Sequence, residues 1–318
     1  MPFLRLRRAL LTAACALPIV LTACGGGDIV SEFTPTRIVV VGDAFADAGQ
    51  RGVRYTINDS SAINWTQQLA SRYGIALAPT SAGGTSYATG SARVTAKPDA
   101  SGNAATPTVT EQIDAYLAGG APREGDLVVV GAGTADLLTQ MAALRSGSQS
   151  QAQTTENARQ AGRELGAQVR RLVNAGARRV IVTGPYNMGR SPWAVSIGQA
   201  AYVQDLVTEF NNALLVSIVD LGGSVLYVDA ALYFNLVTGE GAASAYGFTD
   251  VTSVACDSRD PGPGIGIGAG QVSSAACTGS TIAVGSPGST LFADPVYFTP
   301  AGNVAFGNYA FDRAKQRW

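Results

Sequence analysis

The sequence predicts an α/β domain in which a mostly parallel central sheet lies between two layers of helices. Runs of β-branched residues within 38–41, 127–130 and 179–183 are typical of strands that are buried on both faces. Segments with apolar residues at three- and four-residue steps separate these runs, and strands that alternate with helices favour a doubly wound parallel sheet. The chain has 318 residues, of which 46% are hydrophobic, and this is enough for one large core.

The first predicted strand determines where a functional site would lie. It ends at Gly42 and Asp43, where a helix would begin. Because ligands of α/β sheets bind at the carboxyl ends of the strands, Ala44 occupies a place where a nucleophile would belong. A second strand, 126–131, ends in a similar way before residues 133–138, which read Gly-Thr-Ala-Asp-Leu-Leu.

The other elements follow from apolar periodicity and from helix-ending residues. Periodicity predicts four helices, at 62–73, 109–117, 154–175 and 194–221. The third of these helices ends before Gly176, since glycine readily takes the left-handed conformation that terminates a helix. Residues 224–229 predict a further strand. The sequence shows no internal repeat and no second linker.

The chain begins with a predicted targeting segment. Three arginines near the start precede an apolar run at 9–20, which is too short to span a bilayer as a stable helix. Residues 21–24, Leu-Thr-Ala-Cys, resemble the lipobox of bacterial lipoproteins. This resemblance implies removal of residues 1–23 and acylation of Cys24 with fatty acids such as palmitate. An ordinary signal peptide with an incidental cysteine is the alternative.

The lipobox resemblance also implies a location. Gly25 rather than Asp after the cysteine implies the outer membrane of the cell envelope, with the membrane as a partner through the lipid. A Gly-rich segment follows, as a tethered domain requires. We therefore expect a lipid-anchored linker at 24–35 and a single domain at 36–318, with no other segment that could span a membrane.

The four cysteines of the chain divide into two groups. Cys15 leaves with the targeting segment and Cys24 carries lipid. Cys256 and Cys277 remain in an oxidising compartment and are expected to form a disulfide around the Gly-rich loop 261–270. Two unpaired buried thiols are the alternative.

Several segments resemble the SGNH (GDSL-type) ester hydrolases, in particular lipases of the autotransporter type. Residues 42–49 read Gly-Asp-Ala-Phe-Ala-Asp-Ala-Gly, where the family has Gly-Asp-Ser-Leu-Ser-Asp-x-Gly. Residues 83–94 are similar to the second block of the family, 133–136 to the third block, and 291–302 to the last. The resemblance runs from 37 to 310 and implies the flavodoxin-like, three-layer α/β/α fold of that family.

The resemblance also indicates that the catalytic residues are replaced. Ala44 stands at the serine, Ala135 at the oxyanion-hole asparagine and Tyr297 at the histidine, and the chain contains no histidine at all. Asp294 matches the acid of the triad. The positions of interest are therefore Ala44, Gly90, Ser91, Ala135, Asp294 and Tyr297, with Gly90 at the first of two paired glycines and Ser91 at the second, which belongs to the oxyanion hole. We name none of them as catalytic.

Other arrangements of catalytic groups find little support in the sequence. Ester hydrolysis needs a nucleophile, a base of moderate pKa and donors for the oxyanion. The two lysines, Lys97 and Lys315, lie outside any Ser-x-x-Lys spacing. Four aspartates, Asp43, Asp47, Asp136 and Asp294, could gather around a divalent cation. We prefer the interpretation that the family resemblance implies, in which the first three are acceptors that fix loops and Asp294 bonds a backbone amide or Tyr297. We expect no metal and no cofactor.

These observations lead to competing functional hypotheses. A net charge of −1 and 14% charged residues give no basic surface for nucleic acid. The leading hypothesis is an outer-membrane lipoprotein that is a pseudo-esterase with a binding or scaffolding role, its partner a small acyl or ester ligand or an envelope protein. The alternative is an active envelope ester hydrolase with a non-standard site. A third is a purely structural lipoprotein, which a pocket plugged by Tyr297 and Phe45 would favour.

Overall fold

The central sheet contains four parallel strands. A computed structural model describes residues 32–59, 62–286 and 288–318 of the chain, so the predicted signal peptide, lipobox and most of the linker lie outside the described residues. The strands are β1 (Arg37–Gly42), β2 (Asp126–Gly131), β3 (Val180–Thr183) and β4 (Val225–Tyr227), in the order β1-β2-β3-β4. Gly42 is opposite Gly131, which is opposite Thr183, so the carboxyl ends of the first three strands align.

Helices flank the sheet, and this confirms the predicted α/β class. They are α1 (Trp65–Arg72), α2 (Val109–Ala118), α3 (Thr134–Arg145), α4 (Gln151–Asn174), α5 (Pro192–Ser196), α6 (Ala200–Ile218), α7 (Ala230–Val237) and α8 (Pro300–Arg317). Helix α1 packs on α8, and α4 packs on α6. The central strands are fully buried because their β-branched side chains meet helices on both faces.

Two predicted helix boundaries were wrong for local reasons. The expected helix at 194–221 is two helices, α5 and α6, because Gly198 takes a φ of +66° between them. The long helix α4 starts at Gln151 rather than at Thr154, because the Ser150 side chain accepts a hydrogen bond from the Gln153 amide and so caps the earlier turn. Its predicted end is confirmed by Gly176, which has a φ of +107°.

A second, two-stranded parallel sheet was not predicted. It consists of β5 (Asp250–Val254) and β6 (Thr290–Phe292), and the intervening chain carries the expected disulfide. Cys256 and Cys277 are bonded, with their Cα atoms 6.0 Å apart, which confirms that prediction. The bond closes the Gly-rich loop, which has little regular structure of its own.

The compact unit of the chain spans Phe33 to Trp318. The Phe33 amide donates to the Trp318 carbonyl at 2.9 Å, and the guanidinium of Arg179 lies 3.8 Å from the centre of the Phe33 ring. None of the helices that the structure describes combines the length and the apolarity that a bilayer crossing needs.

Candidate functional site

The turn after β1 joins the first and third sequence blocks. The Asp43 amide donates to the Gly131 carbonyl at the end of β2, at 3.1 Å. The Asp43 carboxylate accepts from the amides of Phe45 at 3.0 Å and Ala135 at 3.4 Å. Ala44 and Ala135 are therefore brought to the same edge of the sheet, as the family pattern expects, and both are buried, at 2% and 0% exposure.

Asp47 brings the second block to this edge. One of its oxygens accepts from the amides of Gly49 and Gln50, at 2.8 and 2.7 Å, and the other accepts from the Gly90 amide at 2.8 Å. All of these partners are backbone groups. Asp47 thus fixes the geometry of two loops and has no oxygen that lacks a protein donor.

Ser91 has an unusual backbone conformation. Its φ is +62°, and it is the only non-glycine residue with a positive φ in the described part of the chain. A side chain in this region costs of order 1 kcal/mol or more relative to glycine. The loop has therefore kept the left-handed turn that suits the family's second glycine, although this chain has a serine there.

Asp294 is occupied by backbone amides. Its oxygens accept from Val296 at 2.8 Å, from Tyr297 at 2.6 Å and from Ser274 at 2.8 Å. The residue is fully buried, so these three bonds compensate for the loss of water. Asp294 holds the turn that carries Tyr297, and one of its bonds is to the backbone of Tyr297.

Two tyrosine rings close the position where a substrate would enter. The Tyr297 side chain is buried at 2% exposure, and its ring centre lies 5.3 Å from that of the half-buried Tyr55. A Cβ placed on Gly90 would come within 2.0 Å of the Tyr55 hydroxyl, so the Tyr55 ring rests directly on Gly90. Tyr55 and Tyr297 thus lie together at this edge of the sheet, whereas the third hypothesis named Tyr297 and Phe45 as the plugging pair.

The identity of the plugging residue differs from the prediction. Phe45 packs inward, with ring centres 5.6 Å from Trp65 and 5.4 Å from Phe306, and belongs to the core. Tyr55 takes the plugging role instead. This role of Tyr55 was not predicted, because the loop after the first block carries no pattern that directs one of its side chains to the second block.

Burial controls the protonation of the ionisable groups in this region. It raises the pKa of Asp43 to about 7, against the opposing effect of the backbone amides, and it raises the pKa of Asp136 to about 6. Burial, followed by the charge of Asp43, raises the pKa of Tyr297 well above its ordinary value. Tyr55 has a pKa raised to about 12, also by burial. Both tyrosines are therefore neutral at pH 7, and neither can accept a proton as a histidine would.

The remaining aspartate also serves a loop. Asp136 accepts from the Val94 amide at 3.0 Å and pairs with the Arg93 guanidinium at 3.4 Å. Across residues 32–59, 62–286 and 288–318, no three or more His, Cys, Asp and Glu side chains are grouped as metal ligands would be. The contacts of the four aspartates fit the loop-fixing role.

The arrangement is the frame of an ester hydrolase, with each block at its expected place on the sheet edge. The family model for GDSL-like lipases and acylhydrolases matches residues 38–310, so the chain belongs to that family. This confirms the predicted SGNH resemblance and fold. A search of curated proteins found no match.

Two solved structures illustrate the similarity. Est24, a carbohydrate acetylesterase from Sinorhizobium meliloti, is 14% identical, with 89% of this chain and 99% of that chain covered and a TM-score of 0.47. The native aryl esterase of M. smegmatis is 15% identical, with 89% and 99% covered and a TM-score of 0.44.

Proposed function

We propose that this protein is a lipid-anchored, catalytically degenerate member of the GDSL family that acts at the outer membrane by binding or scaffolding and not by hydrolysis. One observation carries the proposal. Ala44 stands at the position of the nucleophile and is sealed, at 2% exposure, at the edge that Tyr55 and Tyr297 close.

The residues at this edge lack the groups that ester hydrolysis needs: a nucleophile, a base and a side-chain donor for the oxyanion. Ala44 has no hydroxyl to attack a carbonyl, and the neutral phenol of Tyr297 is a poor base. Ala135 has no side-chain amide for the oxyanion. Loss of a single triad member costs roughly 10⁴- to 10⁶-fold in turnover in serine proteases, and here the serine and the histidine of the triad are replaced together with the oxyanion-hole asparagine.

Burial at this edge also bears on the kind of partner. Tyr55 lies on Gly90, next to the oxyanion-hole position of the family, so a small acyl or ester ligand that used this position would have to displace the Tyr55 ring. A partner that reads the outer surface of the domain, such as an envelope protein, needs no displacement. The proposal therefore favours surface recognition over ligand binding at the degenerate site.

The envelope location rests on the lipobox resemblance and the Gly-rich tether. The disulfide fits an oxidising compartment. Mass spectrometry of membrane-extracted protein tests this part of the proposal. The expected product lacks residues 1–23 and begins with an acylated Cys24; a soluble mature form with a free Cys24 thiol would refute it.

A reconstruction series tests the catalytic part. Ala44→Ser alone should give no turnover of short-chain aryl esters, because a serine without a base stays a weak nucleophile. Ala44→Ser with Ala135→Asn, Tyr297→His and Tyr55→Ala should give weak turnover that is lost below about pH 6, as the new histidine is protonated.

The matched control carries Tyr297→Phe in place of Tyr297→His and should stay inactive. If Ala44→Ser alone produced turnover, another residue of the chain would have to be acting as the base. In that case the edge would not be degenerate in the way proposed.

A further inference from the structure

A second polar region lies on the same edge of the sheet, beyond β3 and β4. A cavity of about 320 Å³ opens to solvent between the loop after β3 and helices α6 and α7. We call it the amide cleft and define it by six of its lining residues: Asn187, Gln204, Asn212, Tyr227, Asp229 and Asn235. Because ligands of α/β proteins bind at the carboxyl ends of the strands, its place in the fold suits a binding site.

Asn187 organises this cleft from beneath. It is buried, at 3% exposure, and its carbonyl oxygen accepts from the Gly189 amide at 3.1 Å. Its NH₂ group donates to the side-chain oxygens of Gln204 at 3.0 Å and Asn235 at 2.6 Å. One buried side chain thus fixes two others, which come from different helices.

This network leaves donors available to a ligand. Since the oxygens of Gln204 and Asn235 are engaged by Asn187, their NH₂ groups are directed away from it. Neither NH₂ group donates to another residue in the described part of the chain. Both residues are exposed, so the two donors lie at the open side of the cleft.

Acceptors lie beside these donors. One oxygen of Asp229 caps α7 by accepting from the Leu232 amide at 2.8 Å, and its other oxygen has no donor among the described residues. Burial, followed by the charge of Asp229, raises the pKa of Tyr227, which therefore remains a neutral hydroxyl that both donates and accepts.

The balance of groups defines the chemistry of the ligand. None of the described residues that line the cleft is cationic, and Asp229 is the one carboxylate among them, so an anionic ligand would be repelled. Neutral hydroxyl groups, which donate to Asp229 and accept from the amides, complement this set. Apolar side chains also line the cleft, namely Val207, Leu215, Ala231 and Leu232, and the nonpolar face of a sugar ring can pack on them.

We propose that the amide cleft binds a neutral polyhydroxylated ligand, a saccharide unit of a glycan. The amide donors of Gln204 and Asn235 and the carboxylate of Asp229 contact its hydroxyls. The inference goes beyond the proposed function and is independent of the degenerate site, because it requires neither the presence nor the absence of hydrolysis.

Ligand-observed saturation-transfer NMR on the purified mature protein tests this inference. The probes are two neutral tetrasaccharides, chitotetraose and maltotetraose, with tetra-alanine as the peptide comparison. Saturable binding of at least one tetrasaccharide is expected. The double variant Gln204→Leu with Asn235→Leu should weaken it at least about tenfold, since each lost hydrogen bond accounts for several-fold in affinity.

A matched control replaces an exposed asparagine outside the cleft. Asn174→Leu, at the end of α4, should leave the affinity unchanged within about twofold. The inference is overturned if neither tetrasaccharide binds saturably up to about 10 mM, if the double variant binds as the parent does, or if tetra-alanine binds as tightly and with the same sensitivity. Gln204, Asn235 and Asn174 are all exposed, so the double variant and the control should both fold. Circular dichroism checks that they do.

Discussion

The four strands end in two different environments. At the ends of β1 and β2, each aspartate is engaged by backbone amides, and tyrosine rings cover what remains. At the ends of β3 and β4, side-chain amides are held by a buried asparagine and keep donors that no described residue uses. The hydrogen bonds at the ends of β1 and β2 thus stabilise the fold, whereas the ends of β3 and β4 keep hydrogen-bond donors that a ligand could use.

This difference shows how a fold can keep the loop geometry of a catalytic site after the reacting side chains have been replaced. The loop-fixing aspartates hold the three blocks in place whether or not a nucleophile is present. The aspartates at that position are buried, and backbone amides compensate for their lost contact with water. The rings of Tyr55 and Tyr297 add apolar burial beside them. Surface recognition is then free to use another part of the edge.

The largest expected effect comes from Asp294 on the closed half. Asp294→Ala leaves three buried amides without an acceptor and should lower the free energy of unfolding by about 3–5 kcal/mol. Urea denaturation measures this change. The exposed Asp257→Ala is the control and should cost less than about 0.5 kcal/mol. Equal losses in the two variants would contradict the stabilising role of the three hydrogen bonds to Asp294.

The buried Asp43, at the end of β1, should make the stability of the protein depend on pH. Burial raises the pKa of Asp43 to about 7, so the folded state holds this proton up to about pH 7, whereas the unfolded chain releases it near pH 3.8, the ordinary pKa of an aspartate. The stabilising contribution of this group is therefore complete below about pH 4 and is lost as the pH rises through about 7, by at most about 4 kcal/mol. Asp43→Asn should make the stability profile less steep between these limits, and the slope that remains comes from other buried aspartates with a raised pKa, such as Asp136. An unchanged profile in denaturant titrations would contradict the assigned burial effect.

The plug itself can be tested at Gly90. In Gly90→Ala the new methyl group would overlap the Tyr55 ring, so the variant should lose about 1–2 kcal/mol of stability as the ring is displaced. In a Tyr55→Ala background the same change should cost much less, so a double-mutant cycle should give a coupling of about 1 kcal/mol. Additive effects would mean that Tyr55 does not rest on Gly90 in solution.

The smallest effect is expected in the amide cleft. Asn235→Ala removes one of the two side-chain acceptors of the buried Asn187 NH₂ group, which keeps Gln204 as a partner, and it should lower the free energy of unfolding by about 0.5–1 kcal/mol. Thermal or urea unfolding measures it. A loss comparable to that of Asp294→Ala would mean that the cleft is a structural network and not an open binding surface.

The sequence predicted the fold well where burial is continuous. Strand β2 was predicted at its observed bounds, because an uninterrupted apolar run with three consecutive valines, ended by Gly131, favours a buried strand. The break at Gly198 was missed, because apolar residues continue on both sides of it. The short strands β5 and β6 were missed since neither is fully apolar or strictly alternating, and their pairing depends on distant chain segments.

The site was predictable only in part. Family blocks located Ala44, Ala135 and Tyr297, and the structure places their segments at one edge. Tyr55 could not be found, because its role depends on how a patternless loop folds over Gly90. The amide cleft was also invisible, since Asn187, Gln204 and Asn235 come from separate elements and form no motif.

The most direct test of the central claim is an assay of the unmodified mature protein. Hydrolysis of short-chain aryl esters is measured together with covalent labelling by a fluorophosphonate, which reacts with activated serines. We expect no hydrolysis above the buffer rate and no labelled serine, because Ala44 cannot attack and Tyr297 cannot act as a base. Clear turnover, abolished by mutating a labelled serine or a threonine elsewhere in the chain, would contradict it.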